Sequence, residues 1–127
     1  LVWLEDGDVV AARQRVTTRF SSAGVIRWTN TGTGFESVMS LDVDRVGRVF
    51  ESTIDASNHF TVRQLEANGT TGTSAAIPGT NYLGLACIDP NSNFVIAGST
   101  SDGLGGRLPQ RGPNDVVVVR NPQYLFQ

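Results

Sequence analysis

The sequence predicts an all-β protein built from about three repeats of a four-stranded antiparallel sheet. The pattern of residues 81–120 recurs upstream at a shift of 45 positions, which places Asp44 beneath Asp89. The 127 residues include 14 glycines and only 17% charged residues, a composition that suits short strands joined by tight turns. No stretch has a helical period of useful length. A repeat of about 40–50 residues made of short strands is typical of β-propeller blades.

The first repeat unit covers residues 1–35. Strands are predicted at residues 9–12, 16–20 and 25–28. Residues 1–4 are also apolar, but they match only the end of the opening strand of the next unit. We therefore expect a first blade with a truncated opening strand. The sequence TNTGTG at residues 29–34 predicts a loop.

The second unit covers residues 36–80 and the third covers residues 81–127. Their strands are predicted at residues 35–43, 48–54, 60–65, 70–76, 82–88, 93–99 and 116–120, with 123–127 as a candidate fourth strand of the third unit. The third unit differs from the second in one long hairpin loop at residues 100–114. The second unit has a four-residue turn, residues 55–58, at the same place.

Three blades do not close a ring, because propellers have four or more blades. Such an array leaves an apolar sheet face uncovered at each end, and stacked repeats need continuation or capping to stay soluble. We therefore expect either further blades in a longer protein or other copies of this chain, in a homo-oligomer, to complete the ring. Trp3 and Trp28 are expected to pack between blades.

Four short elements follow one another at blade spacing. They are Gly24 with Trp28, Asp44 with Gly47, residues 95–100, and residues 115–120 with the sequence DVVVVR. Over roughly residues 6–120 they resemble the bacterial seven-bladed β-propeller repeat. The pattern departs from the family at Thr73, which stands in place of the tryptophan, and at Ser92, which stands in place of the turn glycine. The resemblance implies an exported or cell-surface scaffold with no shared catalytic residues.

Charge and cysteine content exclude several classes of partner and site. The net charge is −2 and the ten basic residues are scattered, so neither nucleic acid nor an anionic membrane is an expected partner. No apolar run approaches the roughly 18–20 residues of a membrane helix. Cys87 is the single cysteine, so no disulfide forms within the chain. Its small, uncharged neighbours predict a buried and unreactive thiol.

No cofactor is expected, although two stretches weakly resemble calcium loops. Residues 42–47 and 89–93 each carry oxygen side chains at alternate positions before a turn. A calcium loop needs six to eight oxygen ligands, and Val46 stands where a third ligand would be. Turns in which Asp or Asn binds the backbone explain the same residues equally well. His59 is the only histidine, which excludes a site of several histidines within one chain.

Two classes of function follow from these observations. The first is a non-catalytic interaction or structural module that presents loops to a protein or glycan partner, because long loops on rigid scaffolds commonly bind. The candidate binding residues lie in the loop at residues 100–114 and are Asp102, Arg107, Gln110 and Arg111. The alternative is a hydrolase or lyase whose carboxylates, Glu36, Asp42 and Asp44, converge near the propeller channel.

Overall fold

The chain folds into three antiparallel sheets that follow one another in the sequence. A computed structural model describes residues 1–77, 82–91, 93–100 and 115–120, together with Gly106 and Pro109. The strands are β1 (Val2–Trp3), β2 (Val9–Arg13), β3 (Val16–Phe20), β4 (Ile26–Thr31), β5 (Ser37–Val43), β6 (Val49–Ile54), β7 (Phe60–Leu65), β8 (Thr71–Ile77), β9 (Tyr82–Ile88), β10 (Phe94–Thr100) and β11 (Asp115–Arg120).

Each sheet is a meander in which neighbours in sequence are neighbours in space. The first sheet has the order β1-β2-β3-β4 and the second β5-β6-β7-β8, while the third contains β9-β10-β11 among the described residues. The prediction of an all-β fold made of antiparallel blades is confirmed. The candidate strand at residues 123–127 lies outside the described residues. The part of the chain that the structure describes contains no helix long and apolar enough to cross a membrane.

One predicted loop is partly wrong. Residues 29–31 continue β4 instead of forming a loop, because they pair with Thr18, Thr17 and Val16 of β3. The threonines favour this extended conformation, and the chain leaves the sheet only at Gly32.

A single type of tight turn joins many of the strands. In five of these turns, the backbone amide of the first residue donates to the carbonyl of the fifth, and the amide of the fourth donates to the carbonyl of the first, at 2.7 to 3.1 Å. The turns lie at residues 4–8, 21–25, 44–48, 55–59 and 66–70. The fourth residue always has a positive φ and is glycine in all of them except at Asn58. A three-residue loop of this kind needs a left-handed residue at that position.

Successive sheets pack against one another in a constant order. Val10 of the first sheet lies in one apolar cluster with Val49 of the second. Phe50 of the second sheet lies in another with Phe94 of the third, and their ring centroids are 5.3 Å apart. We call the face that carries Val49 or Phe94 the preceding-side face of its sheet. The face that carries Val10 or Phe50 is the following-side face.

Trp28 joins the outer strand of the first sheet to a turn of the second. Its Nε1 donates to the carbonyl of Ala67 at 3.0 Å. Gly69, in the same turn, has a φ of +87°, and a Cβ added to it would lie 2.6 Å from Cδ2 of the Trp28 ring. The expected packing of Trp28 between blades is confirmed. Trp3 differs from the prediction, because its side chain lies on the open face of the first sheet and is 71% exposed.

The substitution Gly69→Ala is expected to destabilise the protein more than Gly24→Ala. Gly24 has a φ of +80° and nothing lies within 4 Å of an added Cβ. Its substitution therefore measures only the cost of placing alanine in a left-handed conformation, about 1–2 kcal/mol. Gly69→Ala adds a clash with the indole, and such overpacking costs about 1–3 kcal/mol more. Urea unfolding of both variants measures the difference. Equal losses of unfolding free energy in the two variants would show that the packing of Trp28 does not require a glycine at position 69.

Candidate functional site

The interface between the first and second sheets changes from apolar to charged along its length. Val10, Val49 and Leu65 form its apolar part and are fully buried. Further along the same strands, Glu51 and Arg63 are also buried. These two residues are direct cross-strand partners on β6 and β7, so their side chains point to the same face of the second sheet.

Glu51 and Arg63 form a buried ion pair that reaches across to the first sheet. Arg63 Nε lies 2.7 Å from Glu51 Oε2 in an ion pair without an aligned hydrogen bond. The Thr17 hydroxyl donates to Glu51 Oε1. Arg63 Nη2 donates to Asn30 Oδ1 at 2.6 Å. Since Thr17 and Asn30 belong to the first sheet, the pair fastens the two sheets together.

Asn30 extends this network to the turn and the outer strand of the second sheet. Its Nδ2 donates to the carbonyl of Gly69 at 2.8 Å and lies 3.3 Å from the Thr71 hydroxyl. Asn30 therefore binds two different parts of the second sheet and Arg63 as well. A polar network of this kind is satisfied in only one alignment of the two sheets.

Burial dominates the electrostatics of Glu51. The loss of solvent raises the pKa of Glu51 above its ordinary value, although the Thr17 hydroxyl and the Arg63 guanidinium act in the opposite direction. The cause is the cost of holding a negative charge away from water. The protonated form is therefore favoured over a wider pH range in the folded chain than in the unfolded one.

The charged end of the interface opens into a polar cleft of about 260 Å³. The residues that line it are Thr31, Gly32, Thr33, Gly34, Phe35, Thr61, Arg63, Thr71 and Ser74. The Arg63 guanidinium carbon lies 5.0 Å from the centre of the Phe35 ring. A Cβ at Gly32 would lie 2.1 Å from Phe35 Cζ and 2.9 Å from Arg63 Nη1. Glycine is thus required for the chain to pass this close to the guanidinium.

The cleft offers hydroxyl groups, which both donate and accept hydrogen bonds, and one guanidinium, which only donates. Its volume lies just below the range of about 300–1,000 Å³ that is common for ligand sites. It is therefore suited to a small polar group with several hydrogen-bonding atoms, such as a single residue of a larger chain.

A second groove, of about 290 Å³, lies between the ends of β5 and β9 and is acidic. Asp42 Oδ2 accepts from the amide of Ile88 at 2.8 Å. Asp44 Oδ1 accepts from the amides of Val46 and Arg48, and Arg48 Nε lies 2.6 Å from its other oxygen. Asp42 therefore joins β5 to β9, and Asp44 stabilises the turn at residues 44–48.

Asp89 is bound in the same way as Asp44. Its Oδ1 accepts from the amides of Asn91 and Asn93, each at 2.9 Å, and Arg120 lies 2.8 Å from Oδ2. The amide of Asn93 is the main reason that the pKa of Asp89 is held below its ordinary value. Both calcium-like stretches therefore contain backbone-binding turns. Among the described residues no group of three or more His, Cys, Asp or Glu side chains could hold a metal ion.

The structure describes only some of the predicted site residues. Asp102, Arg107, Gln110 and Arg111 lie outside the described residues. Of the three carboxylates considered for catalysis, Asp42 and Asp44 line the acidic groove, whereas Glu36 is exposed at the opposite end of β5.

The structure also describes His59 and Cys87. His59 Nδ1 lies 3.1 Å from Asp55 Oδ2 within a turn. The backbone amide of His59 is the main cause that lowers the pKa of Asp55. The prediction of a buried Cys87 is wrong, because this side chain is exposed. The next residue, Ile88, is the one that packs against the second sheet, so Cys87 points to the other face.

Solved structures share this fold. The chain is similar to a protein of unknown function from Bacteroides caccae, with a TM-score of 0.61 and 8% identity over 91% of this chain and 43% of that chain. It is also similar to the Dos1 propeller, with a TM-score of 0.51 and 15% identity over 71% of this chain and 23% of that one. The fold is that of β-propeller blades. The chain spans less than half the length of either protein. Its sequence matches no family model and no curated protein.

Sequence reasoning missed the Glu51–Arg63 network and the cleft beside it. The available signal was a pair of opposite charges at facing positions of two predicted strands. Such pairs are usually exposed, and nothing in the local sequence marks this one as buried.

The pH dependence of stability should report the buried state of Glu51. The Glu51 carboxyl makes its full contribution to the free energy of unfolding below its unfolded pKa, near 4.5. This contribution is lost as the pH rises through the higher pKa that Glu51 has in the folded chain. Glu51→Gln keeps the shape and removes this titration. We expect the variant to gain stability relative to the wild type as the pH rises from about 4 to 7, measured by urea unfolding. A relative loss over the same range would show that attraction to Arg63 outweighs burial.

Proposed function

We propose that this chain is a non-catalytic interaction or structural module whose blades present loops and clefts to a protein or glycan partner. The observation that carries the proposal is the polar cleft between the first and second sheets. Five side-chain hydroxyls line it, from Thr31, Thr33, Thr61, Thr71 and Ser74, with the guanidinium of Arg63 beside them. Sugars present hydroxyls that both donate and accept, which favours a glycan as the occupant.

The described carboxylates support a role without catalysis. A general acid or base needs an oxygen that is free to exchange a proton with a substrate. The carboxylate oxygens of Asp44 and Asp89 are instead bound to backbone amides and guanidiniums, and Glu51 is buried against Arg63. The alternative of a hydrolase or lyase would require Asp42 and Asp44 to leave their backbone bonds and Glu36, at the opposite end of β5, to join them. We propose a function that needs no cofactor.

The family and the location of the protein are part of the same proposal. The order of the Gly24–Trp28, Asp44–Gly47 and DVVVVR elements favours membership of the bacterial seven-bladed repeat family. That resemblance implies an extracellular or cell-surface scaffold, where glycans are abundant partners.

Filling the cleft should abolish sugar binding. Ser74 is an exposed residue that lines the cleft, so Ser74→Tyr occupies the volume without disturbing a buried contact. We expect saturation-transfer NMR against glucose, galactose, N-acetylglucosamine and glucuronic acid to show binding of at least one sugar by the wild type. Binding by Ser74→Tyr should be weaker by about tenfold or more, a loss of about 1.4 kcal/mol.

Thr73→Tyr is the matched control for this experiment. Thr73 is also an exposed residue of β8 but does not line the cleft, so this variant should bind like the wild type. The proposal fails if no sugar binds the wild type, or if both tyrosine variants bind as well as it does.

The loop at residues 100–114 gives a second test. Arginine forks bind oxygen-rich partners at two points, so Arg107→Ala and Arg111→Ala are expected to reduce retention on an immobilised glycan array several-fold. The thermal unfolding midpoint should stay unchanged, which separates a loss of binding from a loss of stability. Retention equal to that of the wild type would remove this loop from the binding surface.

A further inference from the structure

The two outer sheets each have one apolar face that no other part of the described chain covers. On the first sheet, Trp3, Val9, Phe20 and Ile26 are cross-strand partners in one row. Trp3 is 71% and Ile26 is 59% exposed. Side chains alternate along a strand, so this row lies on the face opposite Val10, which is the preceding-side face.

The third sheet is open on its other side. Leu85, Ala97 and Val118 are cross-strand partners in one row, and Leu85 and Val118 are 65% and 69% exposed. The row lies opposite Phe94 and Ile96, which are buried against the second sheet. The open face of the third sheet is therefore its following-side face. Contiguous exposed apolar patches commonly mark interaction sites.

The open face of the first sheet is a preceding-side face, and the open face of the third sheet is a following-side face. Faces of these two kinds pack on each other inside the chain. Within it, a following-side face meets a preceding-side face twice, at Val10 with Val49 and at Phe50 with Phe94. The repeat aligns Val9 of the open first face with Val49, since the turn glycines Gly7 and Gly47 are 40 positions apart. Each open face could therefore receive a further sheet in the same order in which the three sheets of the chain pack on one another.

We infer that a second copy of this chain covers both faces, with the third sheet of each copy on the first sheet of the other. One chain supplies both complementary faces, so an identical chain satisfies both at once. The contact is between unlike faces, and such contacts form a closed ring when the rotation between copies allows it. Two copies would then give six sheets, enough for a closed propeller. This inference is independent of sugar binding at the cleft.

The molar mass of the 127-residue chain in solution is the first test. Sedimentation velocity across a wide concentration range should give a species of twice the 13.6 kDa chain mass. A monomer at all concentrations, or a larger assembly, would overturn the two-copy ring.

Two charge substitutions then separate unlike-face from like-face contacts. Leu85→Lys alters the third sheet and Ile26→Lys alters the first, both at exposed positions. Because each contact contains one face of each kind, either substitution alone should convert the dimer to a monomer. A dimer that survives either substitution would overturn the inference. Val46→Lys is the control, because Val46 is an exposed apolar residue in the turn at residues 44–48, outside both faces. It should remain dimeric.

Alkylation of Cys87 tests the inference without any substitution. Cys87 is exposed on the open face of the third sheet, so a second copy should cover it. With iodoacetamide in excess, its rate of alkylation should fall several-fold as the protein concentration rises through the range in which the dimer forms. A rate that does not depend on protein concentration while the mass doubles would place the contact elsewhere and overturn the inference.

Discussion

The second sheet has to pack against two neighbouring sheets at once, and the rest of the structure depends on this constraint. Val49 packs on the first sheet, whereas the next residue, Phe50, packs on the third. Side chains alternate along a strand, so consecutive residues meet different neighbours. For this reason β6 is buried at five successive positions instead of alternating between buried and exposed. A sheet with one neighbour has one face that the rest of the described chain leaves uncovered, as the first and third sheets do.

The Glu51–Arg63 pair is a buried ion pair among largely apolar contacts between the sheets. Removing two charges from water is costly, and apolar residues in their place are often as stable or more stable. Apolar contact alone, however, allows two sheets to slide past each other. The bonds to Thr17 and Asn30 are made in a single alignment, so they fix the position of the first sheet on the second. They also hold the guanidinium at the wall of the cleft.

Local sequence was sufficient for most of the described strands and turns, but it did not identify which sheet faces are covered by a neighbouring sheet. Glycine at the fourth turn position and apolar alternation located the hairpins, because both are properties of a few adjacent residues. The exposure of Trp3 and Cys87 was predicted wrongly, since alternation identifies two faces without telling which has a neighbour. Burial of Glu51 and Arg63 was missed for the same reason. It depends on the first sheet, more than 30 residues away in sequence.

The tight turns also determine how the chain can fold. Each is closed within five residues, and every described strand pairs only with its neighbours in sequence. Short loops lose little chain entropy on closing, and local contacts favour rapid folding. A sheet can thus form before it meets another, and contacts such as Trp28 with Ala67 are made when two formed sheets dock. Folding can then spread from sheet to sheet, with each formed face acting as the template for the next.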